Sequence, residues 1–154
     1  MQLSNILKPE AVRVISSASS KKRLFQEIAD VANSAYSLQA LATVEALLDR
    51  ESLGPTGVGH GVALPHARIS GVEEVIGVFV ILEKPLDFGS VDRQPVDIAF
   101  SLLAPEDAGV EHLKALALVS RTLREQSFCT KLRANPDAAT LYTILTESQS
   151  VQAA

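Results

Sequence analysis

Gly54-Pro55-Thr56-Gly57-Val58-Gly59-His60-Gly61-Val62-Ala63-Leu64-Pro65-His66-Ala67-Arg68 divides the chain in two. Before it, apolar residues recur at helical spacing; after it, they run together as buried strands do. Four of the eight glycines fall in the first eight residues of the stretch. Glycine adopts turns closed to other residues and lets backbone N–H groups approach a ligand closely. Val62-Ala63-Leu64 then reads as a short strand, stopped by Pro65, that delivers His66 at its end. A glycine-rich loop followed by one fixed imidazole is a way to set a nucleophile beside an anion-binding surface. The stretch therefore predicts that His66 carries a phosphoryl group.

Toward the N-terminus, Leu3, Ile6, Leu7, Val12, Val14 and Ile15 are expected core contacts, with a short strand at Val12-Arg13-Val14. Ser19 or Ser20 is a suitable cap for a helix starting near Lys21, whose apolar stripe is Leu24, Ile28, Val31 and Ala35. Asn33 to Ser37 reads as a polar break. A second helix runs to about Leu53 and buries Leu41, Val44, Leu47 and Leu48.

Beyond His66, Gly71 marks a turn. Val75 to Leu82 is apolar on both faces and predicts a central strand covered on both sides. Lys84-Pro85 reads as a turn before a second such strand, Val96 to Leu103. Pro105 to Gly109 forms a loop with candidate helix caps. The next helix, Val110 to Leu123, is expected to bury Leu113, Leu116, Ala117 and Val119. A short helix around Phe128 and Leu132 follows, and Asp137 caps a last one carrying Leu141, Ile144 and Leu145. The tail Ser148 to Ala154 has little to bury. Strands interleaved with helices predict a single α/β domain over 1–154, with helices on both faces of the sheet.

At 154 residues the chain is long enough for one substantial core. A net charge of −4 with interspersed signs offers no basic stripe for nucleic acid. Aromatic residues are 5% with no tryptophan, too few for base stacking. Cys129 is the single cysteine, so no internal disulfide or cysteine-rich zinc site can form. Neither a signal peptide nor a membrane span is legible, and a cytoplasmic protein is expected.

The three histidines are His60, His66 and His112. His112 falls in the first turn of a predicted helix, where free N–H groups and the helix dipole favour an anion. A phosphoryl carrier needs a neutral imidazole nucleophile, donors for the equatorial oxygens, and exposure to a second protein. His66, His112 and the loop backbone supply these, with Arg50 and Arg68 as candidate counter-charges. Two rivals fail. Gly54 and Gly59 have the glycine spacing of a nucleotide-binding P-loop, but His60-Gly61 stands where Lys and Ser or Thr are required. A three-histidine zinc site is disfavoured because His60 and His66 do not share a face of a regular element. Neither metal nor cofactor is expected.

The pattern Arg50…Gly54-x-Thr56-Gly57-Val58-Gly59-x-Gly61-Val62-Ala63-Leu64-Pro65-His66, with Glu111-His112-Leu113 further on, resembles the IIA proteins of the bacterial phosphotransferase system. Within them it is most similar to the nitrogen-regulatory branch of the fructose/mannitol superfamily. Leu3-Ser4-x-Ile6-Leu7 and Ser19-Ser20-Lys21-Lys22-Arg23 are similar to that branch too. The resemblance implies an α/β fold with a mixed central sheet of about five strands flanked by helices on both faces. It implies that His66 is phosphorylated at Nε2 and that His112 contacts the phosphoryl group without accepting it. It further implies that Arg50 lies near the site, as a phosphoryl or partner contact. Thr56, Gly57, Gly59 and Gly61 are the expected phosphoryl-binding loop. A histidine phosphocarrier protein is the implied donor, and regulated target proteins the implied partners. The alternative is a sugar-specific IIA handing phosphate to a IIB domain of a transporter. The chain departs from the family at His60, where asparagine is common, and at Ala67, where glycine is frequent.

Overall fold

The computed structural model describes residues 1–153, with side chains described through Glu147. The expectation for the tail at Ser148 to Ala154 concerns side chains outside that range. Among the described residues, six helices surround one mixed sheet of six strands.

The sheet is built on the two apolar runs. β5 (Ile76–Leu86) and β6 (Val96–Ala104) pair antiparallel at its centre. Both Val78 to Leu82 and Ile98 to Ala104 are buried without interruption, so each strand is covered on both faces. Gly77 is required here, since a Cβ would stand 2.7 Å from the Phe100 ring. Phe79 and Phe100 meet edge to face at 6.0 Å. β1 (Leu7–Ile15) adds in parallel to β5, a longer strand than Val12-Arg13-Val14 alone predicts. Val14 and Ile15 are half-buried in it.

The helices follow the sequence pattern with instructive exceptions. α1 (Leu3–Ile6) is a single turn. α2 (Lys21–Tyr36) is capped by Ser20, whose hydroxyl accepts from the Arg23 N–H at 3.1 Å. It runs through the expected break at Asn33 and ends only where Ser37 turns left-handed, at φ 60°. The Asn33 amide is consumed in that ending, donating to the Leu38 carbonyl at 2.8 Å. α3 (Ala40–Ser52) buries Thr43, Val44 and Leu47 but leaves Leu41 exposed.

β2 (Gly57–Gly59), β3 (Val62–Ala63) and β4 (His66–Arg68) come from the opening stretch. Lys84-Pro85 is no turn: it lies within β5, at a register irregularity before Leu86. α4 (Val110–Arg124) is capped by Gly109 without a side-chain bond, so the loop residues expected to cap it do not. It buries His112, Ala115, Leu118, Val119, Thr122 and Leu123, while Leu113 and Ala117 face outward. The helix is thus rotated from the expected face, and His112 takes the inward position. α5 (Gln126–Arg133) and α6 (Ala138–Ala153) complete the chain, with the Thr140 N–H bonded to the Asp137 carboxylate at 2.9 Å.

Candidate functional site

β3 and β4 are one strand in register terms. Val62 pairs with Ile98 and His66 with Leu102, an offset of 36 in both cases (98 − 62 and 102 − 66). The ladder is interrupted because Pro65 has no N–H to donate, although its carbonyl still accepts from Leu102 at 3.0 Å. His66 therefore stands at the start of a parallel strand beside β6, the most deeply buried in the sheet. Ala67 faces the core, so His66 and Arg68 project to the other side.

α3 packs on β4 and α4 on β6, which brings two helix ends to this edge. The cleft between them has a volume of about 530 Å³ and includes His66, His112, Arg50, Arg68 and Asp49. The His66 and His112 rings meet edge to face with centroids 5.6 Å apart. The Leu64 carbonyl lies 2.8 Å from His66 Nδ1. A carbonyl only accepts, so Nδ1 carries the proton and Nε2 keeps its lone pair. Arg50 donates from Nη1 to the Gly54 carbonyl at 3.0 Å, which anchors the guanidinium at the rim. Leu53 and Leu113, exposed by 84% and 65%, form apolar lips on the cleft.

Both imidazoles are pushed toward the neutral form. Burial pushes His66 below its ordinary 6.5, and the Arg50 charge acts in the same direction. The Leu64 carbonyl and the Glu51 carboxylate pull the other way without prevailing. His112 is also lowered, by burial first and then by His66 and Arg68. His112 is only 6% exposed, and its Nε2 has no hydrogen-bond partner among the described residues. Leaving such a group unpaired costs about 1–3 kcal/mol.

The glycines do something else. Gly59 pairs with Val62 across a two-residue turn whose central residues, His60 and Gly61, have φ of 55° and 81°. That is the geometry of a type I′ hairpin, and it needs left-handed residues at both positions. Thr56, Gly57, Gly59 and Gly61 do not line the cleft. Gly57 packs against Ser90, Gly59 faces Asp92, and Gly61 faces Arg133 and Asp97. These residues form a hairpin that sets the register of β3 and β4.

His60 lies with this second group, in a separate cavity of about 480 Å³. Its N–H donates to Asp92 at 2.8 Å, its carbonyl accepts from Arg133 at 2.9 Å, and its ring meets Gln126 at 3.4 Å. Asp97, placed by sequence on a buried strand, is held by Arg133 through Nε and Nη2 at 2.9–3.0 Å. The described residues contain no cluster able to hold a metal ion, and no helix long and apolar enough to cross a membrane.

The cleft includes Arg68, a candidate counter-charge from the sequence, and also Asp49, Leu53 and Leu113, which sequence reasoning did not place there. Reading Pro65 as an interruption within a strand would have put Arg68 on the face of His66.

Residues 5–148 match the family described as "Phosphoenolpyruvate-dependent sugar phosphotransferase system, EIIA 2". The chain is 46% identical to a nitrogen regulatory protein of Bradyrhizobium diazoefficiens, over 94% of this chain and 95% of that one. It is 39% identical to the nitrogen regulatory protein of Escherichia coli K12, over 97% and 92%. The fold superposes on the crystal structure of the nitrogen regulatory protein IIA-Ntr from Neisseria meningitidis with a TM-score of 0.86. That match is 35% identical and covers 94% of this chain and 99% of the other. The two-histidine cleft thus sits in a fold shared along nearly the whole length with these proteins, and the chain belongs to the EIIA 2 family of the phosphotransferase system.

Proposed function

We propose that this IIA component is a phosphoryl carrier whose phosphorylation state serves regulation. Its acceptor is Nε2 of His66. The observation that carries this reading is the Nδ1 contact with the Leu64 carbonyl, which leaves Nε2 unprotonated on a half-buried ring. The donor is a phosphohistidine on a small histidine phosphocarrier protein. The His66 Nε2 lone pair attacks phosphorus in line, and the donor's P–N bond breaks with its electron pair returning to the donor ring. His66 keeps its Nδ1 proton, and the positive charge that develops on its ring is stabilised by the Leu64 carbonyl. His112, in the Nε2–H tautomer, donates to a transferring oxygen and so gains the partner it lacks. Arg50 and Arg68 offset the negative charge at the rim. Leu53 and Leu113 give the incoming protein an apolar surface.

The regulatory reading is supported by the name of the full-length relatives, nitrogen regulatory protein. A regulator predicts that its set of binding partners changes with phosphorylation; a sugar-specific relay predicts fast transfer to a IIB domain instead. The test of the carrier reading is incubation with the phosphorylated carrier protein. Label is expected on His66 and lost in His66→Ala. Label on another residue of the wild type would overturn the assignment.

A further inference from the structure

Glu51 follows Arg50 in α3, yet its side chain is absent from the cleft lining and is only 7% exposed. Three donors converge on it. Oε1 accepts from the Thr56 hydroxyl at 2.6 Å, and Oε2 accepts from the Thr56 N–H at 3.0 Å and from Lys21 Nζ at 2.8 Å. The Thr56 carbonyl accepts from the Leu64 N–H at 3.0 Å. The Leu64 carbonyl, in turn, is the partner of His66 Nδ1. Hydrogen bonds joined through the backbones of Thr56 and Leu64 therefore link an ammonium on α2 to the His66 ring. Lys21 is itself held over the Phe88 ring at 4.5 Å.

We propose that Glu51 is a positioning residue for phosphoryl transfer, acting through Thr56 and Leu64 to hold the His66 ring in orientation and tautomer. The role rests on the carrier reading above. Its physical basis is the strength of charge-assisted bonds to a carboxylate that water hardly reaches. Thr56 is itself 5% exposed, so without the carboxylate its N–H and hydroxyl lose their partner inside the protein. Thr56 would then shift to find others, taking the Leu64 peptide with it. The Glu51 charge also raises the basicity of the His66 ring, opposing the effect of burial.

A purely architectural Glu51, one that only ties α2 and α3 to the loop, would leave the ring's tautomer alone. The deciding experiment uses the full chain with ¹⁵N-labelled histidine and reads the protonation of each ring nitrogen by NMR, with no phosphodonor present. Transfer from phosphoramidate and from the phosphorylated carrier protein is measured in parallel. In the wild type His66 is expected in the Nδ1–H form. Glu51→Gln and Thr56→Val should mix the tautomers and lower kcat roughly tenfold or more, with KM little changed. Thr56→Ser, which keeps the hydroxyl, should restore both. If Glu51→Gln does not fold, the Thr56→Val and Thr56→Ser pair decides. Folded variants with an unaltered tautomer and rates within about twofold of wild type would overturn the role. A wild type that takes no label on His66 would sink the carrier reading instead, and the tautomer measurement would still judge Glu51.

Discussion

Among the described residues, one cavity of about 530 Å³ surrounds His66 and another of similar size, about 480 Å³, adjoins His60. Around His60 the polar groups satisfy one another: Asp92, Arg133 and Gln126 take up its N–H, carbonyl and ring, and Arg133 also clasps Asp97. Around His66 one buried nitrogen of His112 has no partner among the described residues, two imidazoles are pushed toward the neutral form, and apolar side chains stand in water. A closed network rigidifies; an open one keeps capacity for a ligand or a partner. The difference separates the hairpin scaffold from the proposed site of chemistry, although the sequence places His60 and His66 only six residues apart.

The strongest way to break this comparison is to remove one imidazole from each cavity. His112→Gln is expected to lower the rate of phosphoryl transfer by roughly 10²-fold, as loss of a donor to developing charge does. His60→Gln should leave it within about twofold, because that ring lies in the other cavity, against Gln126. Stopped-flow or quenched transfer from the carrier protein measures both. Equal losses would mean the two cavities work together.

The converse holds for stability. Arg133→Ala removes the clasp on Asp97 and the bond to the His60 carbonyl. It is expected to destabilise by about 1–2 kcal/mol, a figure reduced for the partial exposure of Arg133. Transfer by the folded protein should be unaffected. Denaturant melts that match the wild type would show that the closed network contributes nothing measurable.

A smaller effect separates the cavities by pH. His66 and His112 lie below 6.5 in the folded chain, so between those lowered values and 6.5 the unfolded chain binds more protons. Their contribution to stability is complete above 6.5 and falls as pH drops through 6.5, levelling off beneath the folded values. The wild type should therefore lose more Tm between pH of about 7.5 and about 5.5 than the His66→Gln/His112→Gln double variant. Parallel losses in the two proteins would remove this account of the cleft.

Much of the architecture was legible because long apolar runs leave few alternatives. Val75 to Leu82 and Val96 to Leu103 led directly to the central pair, and Ser20 with its helical stripe to α2. The failures share a physical cause, in that a polar or special residue did what an apolar pattern would not predict. Pro65 hid the continuation of a strand, since a missing N–H looks like an end when the partner strand is unknown. His112 faces inward where Leu113 was expected, so the buried face of α4 is rotated from the expected one, with Val119 and the half-buried Leu116 common to both. The glycines read as a ligand-binding loop, and the turn that His60 and Gly61 make with positive φ was not legible beside that reading. Glu51 gave no signal at all, because its importance lies in the through-space contacts with Thr56 and Lys21.

The central claim concerns one nitrogen atom. Phosphorylating the ¹⁵N-histidine-labelled chain and following the phosphorus–nitrogen coupling by NMR identifies the atom that bears phosphorus. The Nδ1 contact with Leu64 predicts a single adduct on Nε2 of His66, with Nδ1 still protonated. Phosphorus on Nδ1 of His66, or on either ring nitrogen of His60 or His112, would contradict the account.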